Sequence, residues 1–342
     1  MNDTTATTMP LTEGAEPWRE VIASAGLADP FQTLAWLHAE QDCHGRDVQL
    51  VIVEENSRPI GGLAVINRRI MGVWRGREAI GGPLAVPGRE ATVFASVVRA
   101  LQSDRGSYLY LALRPPASHN LGPLAVAAGL RASPLPTFIV DLTRSEGDLW
   151  AALDGNARTG IRRGERAQVC VSAADDWPTW QAFGEVHAAH FRQMGIPPFS
   201  EPELQYFHRA LRPAGACRLF VSTVGGELAA GMMFLIGHRS MRFLINSSRP
   251  EMLPLSPNDP IMWHALLWAR ANGITMVDLY DTDPRETSPL YGIHRFKGKW
   301  GGQFVDQPYY VRGRLYHRLR EWKRESAGVG LLAGLMSRLA RA

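Results

Sequence analysis

The 342-residue sequence predicts an α/β protein made of two tandem copies of one domain. Three observations carry this prediction. Short runs that are apolar, or that alternate apolar with polar, are interleaved with segments of helical period. The order strand, strand, helix, strand occurs twice. Landmark glycines also keep a near-constant spacing between the copies, Gly62 standing to Gly231 as Gly106 stands to Gly273, as duplication of a whole domain would leave them. An apolar content of 45% is enough to fill two cores.

Residues 1–15, rich in Thr and small side chains, read as a loose cytoplasmic terminus, because they lack the cationic start, apolar run and cleavage site of a secretory signal. The first copy then reads as strand 48–55, a turn at Asn56-Ser57, strand 59–66, a helix around 91–102 and strand 107–113. Segments 146–167 and 176–195 read as helices, the second capped by Asp176, and Ser200-Glu201-Pro202 opens a shorter one. The second copy follows with strand 217–224, a turn at Gly225-Gly226, and strands 227–236 and 240–247. A helix over 260–271 comes next, with Asp259 as its cap, Pro260 in its first turn and Gly273 as its left-handed stop; strand 275–280 closes the copy. The resulting domains are 16–144 and 145–311, with a basic amphipathic helix over 312–342.

Composition and motifs exclude several classes. Cys43, Cys170 and Cys217 are odd in number and in no CxxC pair, which argues against a disulfide framework and a Cys-based zinc site and fits a reducing compartment. No stretch approaches the roughly 18 apolar residues that span a bilayer. The dinucleotide, P-loop and hydrolase-elbow motifs are missing. His187 and His190 share a helix face without further ligands, and Asp278, Asp281 and Asp283 read as strand-end hydrogen-bonding groups, so no metal is expected. The formal charge is only +4, but arginine is clustered at Arg158, Arg162, Arg163 and Arg166, and again in the tail at Arg312, Arg314, Arg318, Arg320, Lys323 and Arg324.

The most unusual segment is "YGIHRFKGKWGGQFVDQPYYVRG", residues 291–313, where cations, His294, Phe296, Trp300 and a glycine pair meet. It resembles the closing signature of the FemABX-like acyltransferases. "NARTGIRRGERAQVCV", 156–171, is similar to that family's arginine-rich opening of the second domain, and "FQTLAWLHA", 31–39, to its N-terminal stretch. The resemblance implies two tandem domains of the GNAT-like N-acyltransferase fold with mixed, mostly antiparallel sheets. It also implies transfer of an acyl group onto an amine, in many members from aminoacyl-tRNA onto a peptidoglycan precursor. Carried over, Lys297 becomes the catalytic residue beside the attacked ester, where a fixed ammonium steadies the oxyanion, and Phe296 becomes the aromatic face for the donor's terminal adenine.

Around that pair, Trp300, Arg158, Arg162 and Arg166 are expected on the donor. Residues 158, 162 and 166 are four apart and form one helical strip suited to tRNA phosphates. Trp36, Tyr206, Asn246 and Tyr280 are expected on the acceptor, in a cleft between the domains. Where the family often has a phosphate-binding lysine four residues after its tryptophan, this chain has Glu40, which repels a diphosphate acceptor. The co-substrate is aminoacyl-tRNA or acyl-CoA, with no bound cofactor. An acyl-CoA enzyme of this fold uses a glycine-rich Q/R-x-x-G-x-G/A turn, and the corresponding "SSRPEMLPLSPND", 247–259, has prolines and no glycine. The acceptor is an envelope precursor or a small-molecule amine. The tail supports peripheral contact with the inner face of the membrane, and with it a third reading, a non-catalytic membrane-surface scaffold.

Overall fold

A computed structural model describes residues 4–70, 74–103, 108–112, 121–194, 197–288 and 291–312. Gly106 and the amphipathic helix expected over 312–342, apart from Arg312, lie outside the described residues. The chain divides into two compact units, the first ending at Leu135 and re-entered at Asp306, the second running from Pro136 to Val305. The change of unit therefore comes earlier than the 144/145 boundary read from sequence. No described helix is long and apolar enough to cross a membrane.

In the first unit the elements are β1 (Thr4–Pro10), α1 (Leu11–Ser24), α2 (Leu34–Asp42), β2 (Asp47–Glu55), β3 (Arg58–Ile70), β4 (Trp74–Ile80), β5 (Leu84–Ala85), α3 (Glu90–Ser103), β6 (Tyr108–Ala112) and α4 (Gly122–Ala127). Then β7 (Arg131–Asp141) carries the chain into the second unit. That unit contains α5 (Glu146–Ala152), α6 (Gly155–Arg166), β8 (Cys170–Ala173), α7 (Trp177–Gln193), α8 (Glu201–Tyr206), β9 (Cys217–Val224), β10 (Glu227–Ile236), β11 (Ser240–Ser248), α9 (Asn258–Ala271), β12 (Met276–Asp278) and α10 (Tyr291–Gly298). Last, β13 (Gln303–Arg312) leads back to the first unit.

The strand pairings of the two units repeat one another. In the first, β1, β2, β3 and β4 pair antiparallel in sequence order, β4 pairs parallel with β6, and β6 pairs antiparallel with the end of β13. In the second, β8, β9, β10 and β11 pair antiparallel, β11 pairs parallel with β12, and β12 pairs antiparallel with β7. Both expected hairpin turns are tight left-handed pairs, Asn56-Ser57 at φ 51° and 61° and Gly225-Gly226 at 58° and 86°.

The duplication is longer than the sequence suggests. Residues 1–15 were expected to be loose, but Thr4–Pro10 pairs with β2 along its whole length and α1 begins at Leu11. Polar Thr residues conceal this strand, because its main-chain hydrogen bonds come from β2 and need no apolar side chain. Thus β1 and α1 are the counterparts of β8 and α7. The matched glycines do the same job in each copy: a Cβ on Gly62 would stand 2.8 Å from the Trp18 ring of α1, and one on Gly231 2.4 Å from the Phe183 ring of α7. Each glycine lets a helix aromatic lie directly on the sheet.

Two helix starts differ from expectation. Segment 146–167 breaks at Leu153 into α5 and α6, with Asp154 capping α6 through the Asn156 amide. Helix α9 begins one residue before Asp259, with Pro257 at its cap position. The Asp259 carboxylate instead forms an ion pair with Lys299. The caps at Asp176 and Ser200 are as expected, the latter a full capping box with Glu203.

Candidate functional site

The second unit opens where β11 and β12 part. They pair over only three residues, Ser240–Arg242 with Met276–Asp278. Beyond Asp278 the chain keeps to β7, the Leu279 amide donating to the Phe138 carbonyl at 2.9 Å and the Thr282 amide to that of Pro136 at 3.0 Å. Meanwhile β11 continues to Ser248 on β10, with Leu244 as an extra residue where the register slips. Into this parting reaches α10.

One face of α10 carries His294 and Lys297, one turn apart. Lys297 is 1% exposed, and its ammonium donates to the carbonyls of Asp281 at 2.7 Å and Tyr280 at 3.3 Å, with the Phe243 ring of β11 at 5.4 Å. Burying an ammonium costs several kcal/mol unless such partners replace water, so this charge is held in one place. His294 Nδ1 lies 3.2 Å from Thr282 Oγ1. The two side chains therefore grip three consecutive residues, Tyr280, Asp281 and Thr282. Burial, supplemented by the Lys297 charge, moves the His294 pKa below its ordinary value, and Asp283 opposes the shift.

A buried network fixes the same segment from behind. Asp278 accepts from Thr137 Oγ1 at 2.6 Å and from the Tyr280 amide at 2.8 Å, and lies 3.1 Å from an Arg242 nitrogen. Thr137 Oγ1 also lies 3.0 Å from the Tyr280 carbonyl, and the Arg242 guanidinium sits 5.2 Å from the Tyr280 ring. These contacts hold Tyr280 at φ 64°, a conformation a bulky residue adopts only when its surroundings impose it.

The other face of α10, with Gly292, Arg295 and Phe296, lines a pocket of about 380 Å³ together with Gly298, Lys299 just past the helix end, Asp154 and Asn156. Phe296 is half-buried, with Lys299 Nζ 4.9 Å from its ring centre. A flat ring with a cation against it, in a pocket that Arg295 also lines, suits a nucleobase. Phe296 and Lys297 are neighbours in sequence, and the turn of about 100° between successive helical residues sends one to the pocket and the other to the Tyr280 and Asp281 carbonyls.

The other expected site residues separate. Trp300 is 1% exposed in the core, so its expected contact with donor is corrected to a packing role. Trp36 is likewise buried, edge-on to Phe31 at 4.8 Å, which corrects its place on the acceptor. Its neighbour Gln32 bridges strands, accepting from the Ala64 amide at 2.9 Å and donating to the Ile80 carbonyl at 2.7 Å. Glu40 is buried in an ion pair with Arg46, so it does not face an acceptor. Arg158 donates to the carbonyls of Leu153, Ala151 and Trp150 at the end of α5, and Arg162 lies over the Trp150 ring at 5.7 Å. Arg166 is exposed. Tyr206 is half-buried on α8, Asn246 half-buried on β11, and Tyr280 buried beside Lys297. His187 is a core group, accepting from the Phe199 amide at 3.0 Å.

Sequence reasoning missed Arg242, Thr137, Thr282 and the role of His294. Only His294 had a sequence signal: once 291–298 is read as a helix, its spacing from Lys297 puts both on one face.

The sheet order common to both units is that of a GNAT fold, and in the second unit the parallel pair parts and β11 carries an extra residue. Residues 153–297 match the family described as Acetyltransferase (GNAT) domain. This places an acyltransferase domain in the second unit. The solved structure of FemX is 13% identical, with a TM-score of 0.75 over 92% of this chain and 99% of that one. L-PGS from Bacillus licheniformis is 12% identical, with a TM-score of 0.59 over 94% and 96%. A tandem GNAT protein from the clavulanic acid biosynthesis pathway is 12% identical, at 0.51 over 91% and 98%. At these identities the likeness is one of fold. No curated protein matches the chain in sequence.

Proposed function

We propose that this chain is an N-acyltransferase that takes an aminoacyl group from aminoacyl-tRNA and transfers it to the amine of a cell-envelope precursor. The amine nitrogen attacks the ester carbonyl, a C–N bond forms, and the C–O bond to the donor ribose breaks. In this reading the donor's terminal base stacks on Phe296 between Arg295 and Lys299. The fixed Lys297 charge stabilises the developing oxyanion through a low-dielectric interior.

The observation that carries the choice of donor is the closed start of α9. In an acyl-CoA enzyme the turn between the equivalents of β11 and α9 aims main-chain N–H groups at pyrophosphate. Here Pro254, Pro257 and Pro260 remove donors, and the Asp259 amide is bound to the Ser256 carbonyl. The buried Asp259 carboxylate at the start of α9 is paired with Lys299, and a negative charge there disfavours a bound pyrophosphate. The match to an acetyltransferase family favours acyl-CoA as the second reading.

The test is to present purified protein with a mixed aminoacyl-tRNA pool and, separately, a set of CoA esters, and to follow deacylation in the presence of an amine. Amine-dependent loss of aminoacyl-tRNA is expected. Turnover of CoA esters alone moves the assignment to the second reading. Lys297→Met, folded by circular dichroism, is expected to lose about 10²-fold or more in rate; unchanged turnover removes the charge from the mechanism.

A further inference from the structure

The attacking amine must lose a proton as the C–N bond forms, and His294, one turn from Lys297 on α10 and held by Thr282 just beyond β12, is placed to take it. His294 shares a face of α10 with Lys297 and sits among Phe138 of β7 at 5.2 Å, Phe304 of β13 at 5.7 Å and Tyr291 at 5.8 Å between ring centres. Thr282 anchors its Nδ1 at 3.2 Å, and Thr282 is itself fixed by its amide on Pro136. Phe304 is 43% exposed, so this ring cluster reaches the surface rather than closing over the imidazole. Resting on the N-acyltransferase reading above, we infer that His294 Nε2 is the proton acceptor of the transfer reaction, with Thr282 as its positioning residue.

In the step, the amine nitrogen forms its bond to the carbonyl carbon and the carbonyl π electrons move to oxygen. A proton passes from nitrogen to His294 Nε2. Collapse of the oxyanion expels the donor alkoxide, and the imidazolium returns the proton to that oxygen, so the imidazole is neutral again and the products are an amide and an alcohol. This needs the Nδ1–H tautomer, with Nδ1–H donating to Thr282 Oγ1 and the Nε2 lone pair free for the amine. The charges that bear on His294 oppose one another: Lys297 on its own helix disfavours the imidazolium, while Asp283, beyond β12, favours it. Asp283 is itself tied to Arg285, whose hydrogen bonds hold its carboxyl down at about 2. Together with burial, this keeps the imidazole neutral and ready to accept at neutral pH.

Two measurements on the full chain test the inference. Nitrogen-15 NMR of labelled histidine, with His294 assigned from the His294→Asn spectrum, is expected to give the Nδ1–H tautomer; an Nε2–H tautomer overturns the proposal whatever the activity. In the deacylation assay with methylamine as acceptor probe, His294→Ala is expected to fall roughly 10²–10⁴-fold. It should also lose the acid limb of the pH–rate profile and recover in part with added imidazole. His294→Asn serves in its place if the alanine variant does not fold. A rate within threefold of wild type, or an unchanged pH profile without imidazole rescue, overturns the base and leaves the acyltransferase reading standing. A wild type that deacylates neither donor class removes that reading and the base with it.

Discussion

His187 illustrates how a single buried side chain couples the second unit to pH. Burial, with a smaller contribution from His190, pushes its pKa down to about 3, and the Phe199 amide donates to its Nε2, so the folded chain holds it neutral. The unfolded chain binds a proton near the ordinary value of 6.5. Between about 6.5 and 3 the unfolded state therefore carries more protons, and stability contributed at neutral pH is lost as pH falls, by at most about 1.4 kcal/mol per unit. Urea midpoints at pH 7.5 and 5 are expected to drop for wild type and to differ less for His187→Asn, which starts lower. At this scale the sequence was partly legible. The types Phe296, Lys297 and His294 were visible in the chain. The burial of Trp36 and Trp300 was not, because an aromatic ring near a motif looks the same whether it faces a ligand or a core.

Helix α6 depends on its small residues. Its inward face, Ala157, Gly160, Ile161 and Gly164, lies so close to α9 that a Cβ on Gly160 would stand 1.9 Å from an Asp259 oxygen and one on Gly164 2.5 Å from Pro260. Gly160→Ala is expected to displace Asp259 from Lys299 and to cost roughly 1–3 kcal/mol, read from urea denaturation. The outward strip is less free than its spacing suggested, since Arg158 serves the end of α5. That leaves Arg162 and Arg166 as the members of the strip on which its expected phosphate contacts would fall. If they bind tRNA, the double change to Gln should weaken binding and flatten its dependence on log salt by about 0.7–0.9 for each phosphate no longer neutralised. An unchanged slope retires the idea. The strip was legible from the four-residue spacing; the competing carbonyls of α5 were not, because they come from a different helix.

Across the whole molecule, the chain finishes one unit with residues from its far end. Tyr310, on the part of β13 that pairs with β6, is buried among Val51, Leu63 and Phe94 of the first unit. Tyr310→Ala is expected to cost about 3–5 kcal/mol in that unit. Amide hydrogen exchange should show reduced protection in β2 and β3 and unchanged protection in β9 and β10; equal reduction in both would contradict the division into units. By itself the sequence determined the α/β class, the duplication, both hairpin turns and the caps of α7 and α8. All of these are set by interactions within a few residues, where period, turn chemistry and capping act. Only the tertiary structure decided that Thr4–Pro10 is a strand, that β13 returns to the first unit, and that Lys297 is buried against Tyr280 and Asp281 while Phe296 lines a pocket. Those outcomes rest on partners more than a hundred residues away for β13, and on which side of a helix meets the parting of two strands, so the physical cause lies outside any local window of the chain.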